Sequence, residues 1–169
     1  MAELTQKERL QPSLLDRLTD DEPEKTRESR EKRVLSLKKL REGVLRDMAW
    51  LLNSSQLSTV EDLDAFPDVA HSVLNFGIPD LAGRTSSSVD IPALERLLRQ
   101  AIWDYEPRIL RNTVKVKLSV SDDQMNHNAM TFEIEGELWA QPVPLRIYLK
   151  TEVDLESGSI RVDERSSAG

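Results

Sequence analysis

The chain has no cysteine among its 169 residues, which removes disulfides and thiolate metal sites and fits a reducing cytoplasm. It has two histidines, His71 and His127, and neither has a ligand-type neighbour at a metal-binding spacing, so no metal is expected. No apolar run approaches the roughly 20 residues that a membrane span needs. The opening stretch, Met1 to Arg9, lacks the apolar core of a signal peptide. Glycine-rich phosphate loops are absent, and the serines at Ser86-Ser87-Ser88 have no nucleophile elbow around them, so neither a cofactor nor a catalytic residue is assigned. A basic patch is missing too. The net charge is −7, and basic residues such as Arg30, Lys32 and Arg33 alternate with Glu28 and Glu31, which argues against nucleic acid as a partner.

What is present describes a globular protein with a charged surface: 38% hydrophobic and 31% charged residues. The length suits one domain with short tails. The reading divides the chain into an N-terminal arm at 1–23, a domain at 24–163 and a tail at 164–169. In the arm, Gln11-Pro12-Ser13 is a break, Leu14, Leu15 and Leu18 make one apolar turn, and Asp20-Asp21-Glu22-Pro23 is an acidic stop. One turn bearing three leucines does not hold itself together in water, so it must dock on this domain or on a partner.

From Glu24 to Leu52 the spacing predicts a helix whose apolar stripe includes Val34, Leu37, Leu40, Val44, Met48 and Leu51. Gly43 interrupts it at a cost of about 1 kcal/mol. Ser58-Thr59-Val60-Glu61 has the form of a helix-capping start, and Phe66 to Leu74 fits a short helix. Asp90, as N-cap before Pro92, opens a second main helix through Leu94, Leu98, Ile102 and Tyr105. The period then changes to two. Val114 to Val120, Met130 to Leu138 and Val143 to Val153 alternate apolar and polar residues, and Ile160 to Val162 is a brief last strand. The expected fold is α+β: two main helices plus a short one packed on one face of a three- to four-stranded antiparallel sheet.

The helix pattern stops and the strand pattern begins at Glu106-Pro107-Arg108. Proline drives the residue before it out of the α region, so the helix should end at Tyr105 or Glu106. Two opposite charges are thereby held at a stiff corner, as an internal latch or as a docking point. Trp50 and Trp103 fall on the side of their helices opposite the apolar stripe at ~100° per residue. Loops or the arm cover them, or they anchor a protein interface, where tryptophan is enriched.

The run Tyr105-Glu106-Pro107-Arg108 followed by an antiparallel sheet resembles the small wedge subunit of phage-tail baseplates and its type VI secretion relative, TssE. The run Leu10 to Leu18, continuing through Thr19-Asp20-Asp21-Glu22-Pro23, looks like the segment that opens the TssE branch. The resemblance covers roughly Glu31 to Arg161. It implies a cytoplasmic, non-enzymatic baseplate subunit at the inner face of the envelope, linking the wedge to the first sheath ring. The implied partners are TssF, TssG and TssK in the baseplate and TssB and TssC in the sheath. Interface residues under that reading are Glu106, Pro107, Arg108, Leu14, Leu15, Leu18, Trp50 and Trp103. A phage-tail wedge subunit is one alternative. A peptidoglycan-cleaving enzyme is another, because the family is often labelled lysozyme-like; Glu106 is its best-placed acid, yet Arg108 beside it favours the ionised form. Sheath contact is expected along a sheet edge, with the third strand, Val143 to Leu155, as the edge element.

Overall fold

A computed structural model describes residues 13–19, 24, 37–84, 88–119, 129–139 and 144–164. The start of the first long helix, the acidic stop at 20–23, His127, Pro142 and the tail from 165 onward lie outside the described residues.

Four helices are described: α1 (Leu14–Leu18), α2 (Leu37–Leu52), α3 (Pro67–Ala70) and α4 (Ile91–Tyr105). Four strands follow: β1 (Lys115–Ser119), β2 (Ala129–Leu138), β3 (Leu145–Asp154) and β4 (Ile160–Glu164), in the sheet order β1-β2-β3-β4 with every neighbour antiparallel. The fold is α+β. Leu40, Val44, Met48 and Leu51 of α2 and Leu94, Leu98 and Ile102 of α4 meet Phe132, Ile134, Ile147, Leu149 and Val153 of the sheet in one core. Each fully buried aliphatic side chain contributes about 1.5–3 kcal/mol relative to exposure.

The other face of the sheet carries alternating charge. The register sets Lys115 opposite Glu135, Lys117 and Lys150 opposite Glu133, and Arg146 opposite Glu137, the pairings that alternation leads one to expect.

Three features differ from the sequence expectations. The capping pattern at Ser58 opens only a 3-10 turn, Leu57–Thr59, with no side-chain cap; the N–H of Ser58 donates instead to Asn75 Oδ1 at 2.9 Å. The helix expected from Phe66 to Leu74 stops at Ala70, and Ser72 starts a separate 3-10 turn by capping the N–H of Leu74. The third correction concerns the edge. Strand β3 is interior, because the chain turns at Leu155–Ser157 and β4 returns along it, pairing Lys150 with Asp163 and Glu152 with Arg161. The edges are β1 and β4.

Candidate docking site at the helix-to-sheet corner

Pro107 ends α4 as its chemistry requires, with Glu106 as C-cap at φ −121°, ψ 75°. The connector then pins itself to the sheet. Leu110 N–H donates to the Glu137 carbonyl at 2.8 Å, and Trp139 N–H donates to the Arg108 carbonyl at 2.8 Å. The corner is therefore rigid on both sides.

Its two charges differ in placement. Glu106 is 3% exposed, so only Pro107 and the partly buried Arg108 reach the surface. Glu106 Oε1 accepts from Arg108 N–H at 3.1 Å and from Arg108 Nε at 2.7 Å, while Oε2 accepts from Nη2 at 2.5 Å. The same Nη2 donates to Asp47 Oδ2 on α2 at 2.6 Å. Burial works against the charge on Arg108, but Glu106 and then Asp47 outweigh it and raise the guanidinium above its ordinary value. The pair is an internal latch that ties the corner to α2.

The chain of charges continues. Asp47 Oδ1 accepts from Arg46 Nε at 2.9 Å, and Arg46 Nη1 donates to Asp16 Oδ1 at 2.5 Å. The bonds it donates to Asp47 and Asp16 raise the Arg46 guanidinium above its ordinary value. Asp16 is partly desolvated, which favours its neutral form, yet the bonds from Arg46 and Ser13 prevail and lower its carboxyl below the ordinary value. Five side chains of alternating sign thus run Asp16, Arg46, Asp47, Arg108, Glu106 from the arm to the corner.

Gly43 makes room for this crossing. A Cβ there would sit 3.4 Å from Asp16 Oδ2 and 3.6 Å from Arg108 Nη1, so any longer side chain would meet both charged groups.

The arm turn α1 is held by its polar side, through Asp16 on Arg46, with Ser13 fixing the Asp16 carboxylate from within the turn. Its leucines face away: Leu14 is 70% exposed and Leu18 73%, with Leu15 also exposed. Trp50, one turn beyond Arg46 on α2, is exposed with the Arg46 guanidinium 5.4 Å from its ring centre. Trp103 is different. It packs against the core, donates from Nε1 to the Arg111 carbonyl at 3.0 Å, and carries Arg99 over its ring. Its polar atom and one ring face are used inside the domain.

Both Glu106 oxygens are spent on Arg108, and among the described residues no three His, Cys, Asp or Glu side chains could hold a metal ion together. Among the described residues no helix is long and apolar enough to cross a membrane.

The model of one family, described as baseplate wedge protein gp25, matches residues 38–143. The chain belongs to that family. TssE is the type VI homologue of gp25. Searches of curated proteins and of solved structures gave no significant match. The gp25-like match begins inside α2 and ends before β3, so it takes in the whole corner and leaves out the arm and the last two strands. The family is one of structural baseplate components, which suits a site built from an internal latch and exposed leucines.

Sequence reasoning singled out the corner and the arm separately and missed Asp16, Arg46 and Asp47, which join them. Their separation, 30 residues between Asp16 and Arg46 and 61 between Asp47 and Arg108, hides them from periodicity. The one available signal was a glycine in mid-helix.

Proposed function

We propose that this chain is the TssE-type subunit of a type VI secretion baseplate, linking the wedge to the first ring of the contractile sheath, with no catalytic activity of its own. The observation that carries the reading is the gp25-family match across the corner, joined to an N-terminal arm whose leucines point outward while its aspartate is anchored. TssF, TssG and TssK are the proposed baseplate partners, and TssB and TssC the sheath partners, in the cytoplasm at the envelope's inner face. The phage-tail wedge subunit is the same architecture in another machine; the leucine-rich arm favours secretion.

Under this reading Leu14, Leu15, Leu18 and Trp50 supply the apolar contact. Pro107 and the accessible part of Arg108 supply a rigid corner, which Glu106 holds in shape from behind. Trp103 contributes through its remaining exposed edge.

The sheath contact is assigned to the β4 edge. Asn53 already occupies the first rung, accepting from Ile160 N–H and donating to the Ile160 carbonyl, both at 2.8 Å. By strand alternation Val162 and Glu164 turn their backbone groups the same way, and no hydrogen bond among the described residues takes them up. On β1 the outward N–H of Leu118 is taken by Glu95 Oε1 at 2.8 Å. A partner strand on β4 would satisfy open backbone groups without burying the charged face.

Co-purification with TssF and TssG, and sheath recruitment by the resulting wedge, tests the assignment. The Leu14→Ser/Leu18→Ser variant should fold normally and lose baseplate binding. Val162→Pro or Glu164→Pro, each in a protein shown to be folded, should lose sheath recruitment alone. Full assembly by all these variants, or cleavage of purified peptidoglycan by the parent protein, would sink the reading.

A further inference from the structure

A second surface, using none of the proposed interface residues, lies on the other side of α4. The loop after α2, the α3 segment and the face of α4 from Leu97 to Tyr105 enclose a cleft of about 330 Å³. Its walls are fixed to one another. Tyr105 Oη donates to the Ser72 carbonyl at 2.9 Å, the Tyr105 ring packs edge-on to Phe76, and His71 Nδ1 lies 3.0 Å from Asp104 Oδ2, itself held by Gln100.

Two independent properties of this cleft call for an occupant. The first is apolar exposure. Val60, Phe66, Val73 and Leu74 are 60–80% exposed and stand on the segments that form the cleft, and Leu97, also exposed, lines it. Five of the eleven large hydrophobic side chains exposed among the described residues thus belong to the segments that build the cleft, Leu97 in its lining and the other four beside lining residues in the chain. Grouping of this kind marks an interaction surface, whereas scattered single residues do not. The second is charge. Glu61, Asp62, Asp64 and Asp104 line the cleft, and among the described residues no lysine or arginine does; His71 is the one basic side chain of that lining. Asp104 is paired with His71, whereas Glu61, Asp62 and Asp64 have no ion pair among the described residues.

We propose that this cleft docks a segment of another protein that carries one or more lysine or arginine residues flanked by aliphatic or aromatic side chains. The cation sits against Glu61, Asp62 and Asp64, and the flanking apolar groups cover Phe66, Val73 and Leu74. Charge sets which partner enters and how fast, and apolar burial holds it. A partner lacking either property leaves the cleft unsatisfied: a purely apolar segment faces carboxylates, and a purely cationic one leaves the apolar rim in water. The cleft is separate from the arm, the corner and β4, so the inference stands or falls without the baseplate assignment.

The test uses the full chain, isotope-labelled, titrated with a fluorescent peptide of alternating lysine and leucine pairs. Controls are a glutamate–leucine peptide of the same pattern and oligolysine. Amide shifts should concentrate at 56–64, 69–77 and 97–105, and binding should weaken steadily with added salt. Two variants separate the contributions: Glu61→Gln/Asp62→Asn/Asp64→Asn, which keeps shape and acceptor oxygens, and Val73→Ser/Leu74→Ser. All five side chains are exposed, and retained amide dispersion verifies folding. Each variant is expected to weaken the lysine–leucine peptide about tenfold. The proposal is overturned if either folded variant binds as the parent does, if oligolysine or the glutamate–leucine peptide binds equally well, or if the shifts fall elsewhere. Should a variant not fold, the salt titration and the shift map on the parent chain decide by the same criteria.

Discussion

Arg108 Nη2 lies 2.6 Å from Asp47 Oδ2 while also serving Glu106, so one guanidinium fastens the helix-to-sheet corner to the first main helix. The two acids it serves are not equivalent. Glu106 is almost fully buried, whereas Asp47 keeps about a quarter of its side chain in solvent.

That inequality makes the corner asymmetric to mutation. Arg108→Ala strands a buried carboxylate and should cost about 2–3 kcal/mol, toward the low end for broken buried pairs because Arg108 itself is partly solvated. Glu106→Ala leaves an arginine that still has Asp47 and water, and should cost about 1–2 kcal/mol. Urea unfolding of the two variants checks the order. A larger loss for Glu106→Ala would show that the buried carboxylate is not the expensive partner.

The arm should be released by acid and by salt. Asp16 has its carboxyl lowered in the docked state, so its contribution is fully present above the ordinary aspartate value of 3.8 and fades as pH falls through the lower docked value. The chain has no cysteine, so Leu18→Cys gives a unique site for a fluorophore on an exposed position. Its anisotropy should stay high from neutral pH down to about pH 4, drop below that, and drop at neutral pH when ionic strength is raised. An Asp16→Asn background should show low anisotropy throughout. A flat profile in the parent would mean that the Arg46 contact does not hold the arm.

Gly43 separates helix propensity from arm docking. Its Cβ position is in ordinary contact with Asp16 and Arg108, so Gly43→Ala should stabilise the domain by about 0.5–1 kcal/mol and leave the arm in place. Gly43→Leu has no room between those groups and should displace the arm, lowering the same anisotropy signal without unfolding the core. Equal anisotropy for the two variants would contradict the crossing.

Gly136 behaves oppositely. A Cβ there would fall 2.7 Å from Ile109 Cγ2, where the connector beyond the corner pairs with β2. Gly136→Ala should cost about 1–3 kcal/mol by forcing the two apart. Combining it with Ile109→Val, which shortens the opposing side chain but keeps Cγ2, should recover little, and Ile109→Ala should cost less in the Gly136→Ala background than in the parent. Additive losses in a double-mutant cycle would refute the contact.

Periodicity made most of this fold legible. The stripe through Leu94, Leu98 and Ile102 and the alternation from Met130 to Leu138 each report a single buried face, so element type and the dry side of the sheet follow directly. Pro107 set the end of α4 for a local steric reason. Strand order did not follow so directly: the brief run Ile160 to Val162 carries too few residues to reveal that it closes one side of the sheet, which misplaced the edge on β3. The short helices were misjudged because a few residues of local pattern do not fix their length: the run from Phe66 breaks at Ala70, where Ser72 caps a separate turn. The site was half readable. Glu106 and Arg108 stood out by position, but their burial and their partner Asp47 depend on long-range packing.

The bond between Asn53 and Ile160 joins residues 107 apart and lies beside the contact of α2 with the last strand. During synthesis, therefore, the first main helix leaves the ribosome long before the surface that completes its packing exists. A nascent chain ending near residue 150 would lack the β4 side of the packing around α2, and would be open to proteases and chaperones. Protection of α2 should appear only once Ile160 has cleared the exit tunnel, so β4 sets the moment at which the first main helix is fully housed.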